Sequence, residues 1–113
     1  MMIEAYHFGC IVINGKEYTS DVIIYPDRVD STWWRSSGHK LYVEDLEDVL
    51  REKPDVLIVG MGDPGLMKVL PETEARLKSE GIRLIAKPTE EACSIYNKLL
   101  KGKKVIAALH LTC

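Results

Sequence analysis

The alternation of apolar strand patterns with helical patterns along residues 43–111 constrains the fold of this chain more than any other feature. Residues 55–60 contain a continuous apolar run after Asp55, which is typical of a strand buried on both faces of a sheet. Further strand patterns occupy 82–86 and 105–111, and helical patterns occupy 43–52, 72–80 and the stretch from Thr89, as N-cap, to Gly102. Strands and helices that alternate in this way predict right-handed crossovers and a parallel core.

The first 26 residues indicate short antiparallel strands rather than helices. Asn14-Gly15 lies between the β-prone runs 11–13 and 16–18, and this dipeptide favours the type I′ turn of a hairpin. Residues 22–25 form a further strand pattern that ends at Pro26. The two halves together predict an α/β fold: a three-layer single domain over residues 1–113, with a mixed, partly parallel central sheet plus N-terminal β-hairpins.

Composition and charge exclude several classes of protein. The 113 residues carry 15 Lys and Arg against 17 Asp and Glu, which gives a formal net charge of -2. We expect no nucleic acid partner, because duplex binders normally carry a basic excess. We also expect no membrane span and no signal or transit peptide, because no apolar run is long enough and residues 1–9 lack the pattern. Cys10, Cys93 and Cys113 are odd in number and widely spaced, which argues against disulfides and favours a cytoplasmic location.

Three segments are predicted to lie beyond the carboxyl ends of the parallel strands, where open α/β sheets bind their ligands. These segments are 60–65, 87–89 and 110–113. The first has the pattern G-x-G-x-x-G, whose backbone N–H groups can hold a carboxylate or phosphate, and a helix start beside a lysine attracts the same anions. The candidate residues for binding a small anionic ligand are therefore Gly60, Gly62, Gly65, Lys87, Thr89 and His110.

The glycine loop does not predict a nucleotide cofactor. A dinucleotide fingerprint needs a helix directly after the loop and an acidic residue at the end of the next strand. Pro64 and Pro71 delay the helix in this chain, and the next strand ends in Ala86-Lys87. We therefore predict no cofactor. A second interpretation, in which the glycines only let a helix and a strand pack closely, stays open.

His110 and Cys113 form a His-x-x-Cys pair with two candidate chemical roles. A Cys–His nucleophilic pair would make Cys113 a reactive thiol. His39 would add a third ligand for a soft metal, but no second pair accompanies these residues, so we predict no metal site. No catalytic residue is assigned, and the alternative is a structural histidine beside a packed thiol.

The most unusual polar and aromatic cluster lies in the long polar connection between the two halves of the chain. It contains Trp33, Trp34 and Arg35, which are residue types enriched at the energetic centres of protein interfaces. Gly38 and His39 follow directly, and we predict that these five residues form an interaction surface for a protein partner. The alternative places one tryptophan in the core and one over it, with Arg35 paired to a carboxylate.

Several short motifs occur in this chain in a characteristic order. They are Phe8-Gly9, residues 18–21, Trp34-Arg35, Gly38-His39, residues 57–62, Gly81-Ile82, Thr89 with Ala92, Tyr96-Asn97 and residues 107–113. In this order they resemble a small single-domain family that includes a mitochondrial complex I assembly factor, an adipogenesis-associated cytoplasmic protein and many uncharacterised archaeal and bacterial proteins. The resemblance covers nearly the whole chain and implies a three-layer α/β domain with a mixed central sheet.

The resemblance implies no defined reaction and no cofactor. The mitochondrial branch implies a role in assembling a membrane enzyme, whereas residues 110–113 resemble the adipogenesis-associated branch. We therefore predict a non-enzymatic binding or assembly-factor-like module. The alternative is a small anionic ligand-binding protein, or an enzyme, with its site at the C-terminal rim of the parallel strands. Whether the protein turns over a substrate, and whether it is a monomer or a homodimer, stays open.

Overall fold

A computed structural model describes all residues from 1 to 113 and contains ten strands and three α-helices. The strands are β1 (Ile3–His7), β2 (Cys10–Ile13), β3 (Lys16–Tyr18), β4 (Val22–Ile24), β5 (Val29–Asp30), β6 (Lys40–Leu41), β7 (Val56–Met61), β8 (Lys68–Val69), β9 (Arg83–Lys87) and β10 (Val105–His110). The helices are a 3-10 helix (Val43–Leu46), α1 (Glu47–Glu52), α2 (Pro71–Ser79) and α3 (Thr89–Leu99).

The central sheet is mixed and partly parallel, as the alternation of strand and helix patterns predicts. Its strand order is β5-β4-β10-β7-β9. Strand β7 pairs in parallel with β10 on one side and with β9 on the other, whereas β4 and β5 add antiparallel strands at one edge. The parallel strands come from the helix-rich half of the chain and the antiparallel ones from the hairpin-rich half.

Alternate residues of β7 enter two different cores, which explains why the whole strand is apolar. Val56 and Ile58 pack on one face with helix α3 and with the sheet β1-β2-β3. Leu57 and Val59 pack on the other face with α1 and α2. All four side chains are buried, because helices or a second sheet cover both faces of the central sheet. The predicted three-layer α/β class is confirmed.

The N-terminal hairpin has the predicted turn. Asn14 and Gly15 adopt φ of 49° and 79° between β2 and β3, and β1 pairs antiparallel with β2 on the other side. Asn97 of α3 binds the backbone of Ile3 twice: its Nδ2 donates to the carbonyl at 2.7 Å, and its Oδ1 accepts from the N–H at 3.0 Å. These two bonds attach the hairpin sheet to helix α3.

The helix expected at 43–52 is present over these residues and divides into the 3-10 helix and α1, which ends where Lys53 adopts a left-handed φ of 48°. One local prediction was wrong. Thr89 is the first residue of α3 rather than its N-cap, which is Pro88. The Thr89 hydroxyl makes buried hydrogen bonds to other segments instead, and tertiary contacts therefore override its capping preference.

None of the helices combines the length and apolar character needed to cross a bilayer.

Candidate functional site

The three segments predicted at the carboxyl ends of the parallel strands meet along one rim of the central sheet. Gly60 lies opposite Lys87 in the register of β7 and β9. The Thr89 hydroxyl donates to the carbonyl of His110 at 2.6 Å and accepts from the N–H of Gly62 at 2.8 Å. Thr89 therefore links all three segments through buried hydrogen bonds.

The glycines of the G-x-G-x-x-G loop permit close approach of neighbouring segments. Gly62 has a φ of 94°, and a Cβ at this position would lie 2.3 Å from the carbonyl oxygen of Thr112. A Cβ on Gly60 would lie 2.8 Å from the Thr89 hydroxyl. The N–H of Asp63 donates to the Thr112 carbonyl at 2.9 Å. Two N–H groups of the loop, those of residues 62 and 63, are therefore already bonded within the protein.

The other candidates for anion binding lie nearby without enclosing a cavity. The carbonyl of Gly65 accepts a hydrogen bond from the Lys68 ammonium at 3.3 Å. The exposed Lys87 ammonium lies 3.8 Å from a carboxylate oxygen of Glu91. The cavities of the protein are lined by residues outside this rim. Anion binding at the rim stays a prediction.

His110, Cys113 and His39 do not combine into a metal centre. The structure contains no group of three His, Cys, Asp or Glu side chains that could hold a metal ion. The imidazole of His110 is nearly buried, whereas His39 and the free thiol of Cys113 are exposed. No hydrogen bond joins Cys113 to His110, and the reactive-thiol role of Cys113 stays a prediction.

A buried charged cluster of Asp21, Arg35 and His110 lies beside the rim. Arg35 Nη1 donates to Asp21 Oδ2 at 2.6 Å. His110 Nδ1 lies 2.8 Å from the same carboxylate oxygen and 3.0 Å from Arg35 Nη2, so this single nitrogen serves one partner at a time. The N–H of Leu111 donates to Asp21 Oδ1 at 2.8 Å. The cluster ties the segment of Arg35 to the end of strand β10.

The electrostatics of the cluster favour an ionised Asp21. Burial raises the pKa of this carboxyl, but hydrogen bonds from His110, Leu111 and Arg35 outweigh burial and lower the pKa from 3.8 to about 2. The Arg35 side chain is only 5% exposed, and its Nε is buried without a hydrogen-bond partner. Its guanidinium lies over the ring of Trp33, 4.8 Å from the ring centroid.

The two tryptophans occupy different environments. Trp33 is half-buried against the core that contains Leu57 and Val59, and its Nε1 donates to the carbonyl of Asp45 at 3.0 Å. Trp34 is 76% exposed, more than any other large apolar side chain of the protein. Trp34 therefore projects outward between Trp33 and Arg35, which are both held in place by contacts to other parts of the chain.

A cavity of about 280 Å³ opens beside the two tryptophans. Strand β4 contributes Ile23, and the other side of the cavity is formed by the 3-10 helix and the start of α1. Five carboxylate residues line it and no basic residue does: Asp30, Glu44, Asp45, Glu47 and Asp48. We call Trp33, Trp34 and this cavity the tryptophan cleft.

Gly38 and His39 of the predicted interaction surface lie outside the tryptophan cleft. Both residues are exposed, and no heavy atom lies within 4 Å of an added Cβ on Gly38. The carbonyl of His39 accepts from the N–H of Lys68 at 2.8 Å, which extends the pairing of β6 with β8. The structure therefore brings Trp33, Trp34 and Arg35 together, whereas Gly38 and His39 do not line the tryptophan cleft.

Sequence reasoning missed Asp21 and the carboxylates of the tryptophan cleft. Asp21 directly precedes the apolar strand β4, but this position does not distinguish it from the other acidic residues as the partner of Arg35. Glu44, Asp45, Glu47 and Asp48 follow one another closely in sequence, but their proximity to Trp34 depends on the fold.

The lowered pKa of Asp21 predicts a specific loss of stability in acid. The pKa of Asp21 in the folded protein lies below its ordinary value of 3.8. The stabilisation of the folded state by the ionised Asp21 is therefore complete above about pH 4 and is lost as the pH falls towards about 2. We expect chemical unfolding measured across this window to show a steep fall in the free energy of unfolding. Asp21→Asn should flatten that fall, and an unchanged slope in this variant would contradict the ionised cluster.

The fold and the cluster together define a mixed α/β domain with an accessory antiparallel sheet and no assigned reaction. The chain belongs to the family described as protein of unknown function (DUF498/DUF598), whose model matches residues 3–110.

Solved structures agree with this assignment. The chain is similar to a conserved hypothetical protein, PH1505, from Pyrococcus horikoshii OT3, with 36% identity, full coverage of both chains and a TM-score of 0.86. A structure named MT938 has 29% identity over 99% of this chain and 98% of that one, with a TM-score of 0.81. A Mth938-like domain from Bordetella pertussis shares the fold, with a TM-score of 0.76 at 22% identity over 97% of this chain and 85% of that one.

Proposed function

We propose that the protein is a non-enzymatic binding module of assembly-factor type, and that the segment Trp33–Arg35 is its partner surface. The observation that carries the proposal is the exposure of Trp34, whose side chain is 76% accessible. Tryptophan is strongly enriched among the residues that dominate binding energy in protein interfaces. A large exposed apolar side chain gains most when a partner removes it from water.

The immobilised neighbours of Trp34 strengthen this proposal. Arg35 is bonded to Asp21, and the ring of Trp33 is hydrogen-bonded to the backbone of Asp45. The backbone on both sides of Trp34 is therefore ordered before any partner arrives. A surface that is ordered in advance loses less conformational entropy on binding, which favours affinity.

The alternative function, binding of a small anionic ligand at the C-terminal rim, has less support. Gly62 and Asp63 already donate their N–H groups within the protein, and Lys87 lies beside Glu91.

A free thiol at each cysteine position fits a reducing compartment, so we place the proposed binding function in the cytoplasm.

Trp34→Ala tests the proposal. We expect this variant to keep its stability within about 0.5 kcal/mol, because an exposed side chain contributes little to folding. We also expect it to lose the protein partners that the wild-type chain retains from a lysate of its source cells. The measurement is quantitative affinity capture, with thermal unfolding of each variant as the check on folding.

Phe8→Ala is the matched control for Trp34→Ala. Phe8 is a second exposed aromatic residue, 58% accessible, in the turn between β1 and β2. The control should retain the wild-type set of partners. If Trp34→Ala retains the same set at the same level as Phe8→Ala, the proposed partner surface is wrong.

A further inference from the structure

We infer that the tryptophan cleft binds a basic peptide segment of a partner protein, with a Lys or Arg side chain seated beside Trp34. This inference rests on the proposed function and adds the chemistry of the partner. It rests on three features of the cleft: the sign of its charge, the open ring face of Trp34 and the size of the cavity.

The charge of the cleft has one sign. Asp30 comes from β5, and four further acidic residues come from residues 44–48, so two separate parts of the chain contribute carboxylates to one cavity. No lysine or arginine lines it. The protein as a whole has a formal charge of only -2, so this concentration of negative charge is local. A cavity lined by one sign of charge raises the local concentration of a ligand of the opposite sign.

The carboxylates of the cleft differ in how far they are already engaged. Asp30 accepts from the N–H of Thr32 at 2.8 Å, and Asp45 accepts from the N–H of Tyr42 at 2.9 Å. Asp48 has a salt bridge to the exposed Arg51. Asp30 and Asp45 keep their negative charge, because backbone donors do not neutralise it, whereas Arg51 balances the charge of Asp48.

Glu44 and Glu47 are the carboxylates most available to a partner. Glu44 has no hydrogen bond or ion pair, and the nearest cation to Glu47 is an Arg51 nitrogen at 4.0 Å. Both side chains belong to exposed residues. A cationic side chain of a partner would therefore meet Glu44, which no cation of this chain pairs with, and Glu47, whose one ion pair with Arg51 is long and exposed to solvent.

A neighbouring cavity shows that the excess of acidic groups is particular to the cleft. The larger cavity of about 560 Å³ shares Glu44 and Glu47, but Arg51, Lys53 and Arg76 line it as well. Acidic and basic residues are equal in number there, whereas every charged residue that lines the tryptophan cleft is acidic.

The ring of Trp34 supplies the second feature. Within the chain, the guanidinium of Arg35 stacks over Trp33, whereas no cation of the protein lies over Trp34. Tryptophan is the aromatic side chain that attracts a cation most strongly over its face. A partner's lysine or arginine could therefore contact the open ring and the neighbouring carboxylates at once.

The cavity volume limits the form of the ligand. About 280 Å³ accommodates one or two side chains and cannot enclose a folded domain. An extended basic segment that places one long side chain in the cavity and its neighbours along the acidic rim fits this shape. The stems of lysine and arginine also gain contact with the apolar surfaces of Ile23 and Trp33.

The test uses the full chain and a synthetic heptapeptide, acetyl-Ala-Arg-Lys-Ala-Arg-Lys-Ala-amide, titrated by isothermal calorimetry. We expect saturable binding that weakens as the salt concentration rises. The combined variant Glu44→Gln with Glu47→Gln should weaken binding about tenfold. Trp34→Ala should weaken it about fivefold through loss of the cation–aromatic contact.

The matched control removes two carboxylates elsewhere. Glu72 and Glu74 lie on the exposed side of α2 and do not line the cleft, so Glu72→Gln with Glu74→Gln changes the net charge equally. This control should bind the peptide as the wild-type chain does. Equal weakening by both double variants would show attraction to net charge only and would overturn the inference, and so would the absence of peptide binding.

The result is distinguishable from failure of the proposed function. If the peptide does not bind but Trp34→Ala still loses the captured partners, the partner surface stands and its basic chemistry is wrong. If Trp34→Ala retains every captured partner, the proposed function itself fails. If the inference is right, the double variant Glu44→Gln with Glu47→Gln loses the captured partners. The control variant Glu72→Gln with Glu74→Gln retains them.

Discussion

Arg35→Ala is expected to lower the free energy of unfolding by about 3 kcal/mol, because it removes one partner of a buried ion pair. Its guanidinium is 5% exposed and donates to Asp21 at 2.6 Å. Without Arg35, the Asp21 carboxylate keeps the N–H of Leu111 and the imidazole of His110 but loses its permanent positive partner. Urea unfolding followed by circular dichroism would measure the loss.

Arg51→Ala is the control for Arg35→Ala. Arg51 also pairs with an aspartate at 2.8 Å, but its side chain is 73% exposed. Water and salt screen such a pair, so we expect a loss of less than about 1 kcal/mol. If the two alanine variants lose the same free energy, the Asp21–Arg35–His110 cluster does not hold the segment in place as described.

Gly62→Ala is expected to lower the free energy of unfolding by about 3 kcal/mol or more. The residue has a positive φ of 94°, which penalises any side chain, and the new Cβ would lie 2.3 Å from the carbonyl oxygen of Thr112. Since the obstacle is backbone, it cannot move aside as a flexible side chain would. The strand rim must open to admit the methyl group, and the contact between 62–63 and Thr112 is lost.

Gly81→Ala separates the two causes of the Gly62 effect. Gly81 has a similar positive φ of 74°, but no heavy atom lies within 4 Å of an added Cβ. Only the penalty for a side chain at positive φ applies, so we expect the free energy of unfolding to fall by about 1 kcal/mol. Equal losses at the two positions, again from urea unfolding, would mean that close approach of Thr112 to the glycine loop contributes nothing to stability.

Much of the fold was predictable because its determinants are local in the sequence. Asn14-Gly15 specifies a hairpin turn through its backbone preferences, and the structure contains that turn. The apolar run in β7 requires cover on both faces, and the two cores provide it. The division of the helix at 43–52 was not predictable from periodicity, because 3-10 and α-helical turns place apolar side chains similarly over one turn.

The candidate site was less predictable because its contacts join distant parts of the chain. Arg35 was expected to pair with some carboxylate or to form part of a partner surface, and nothing in its neighbourhood distinguishes Asp21 from the other acidic residues. Asp21 is 14 residues from Arg35 and 89 residues from His110 in sequence, and only the packing of β4 beside β10 brings them together. The sequence also does not show whether Trp33 or Trp34 is the exposed tryptophan, since the exposure of Trp34 depends on the fixed positions of Trp33 and Arg35.

The most direct test of the account is photo-crosslinking from position 34 in living cells. Trp34 is replaced by the photoreactive amino acid benzoylphenylalanine, and Phe8 is replaced in a parallel chain as the control. We predict discrete crosslinked protein products from position 34 that are absent from position 8. An absence of products at position 34, or the same products from both positions, would contradict the claim that this segment is a partner surface.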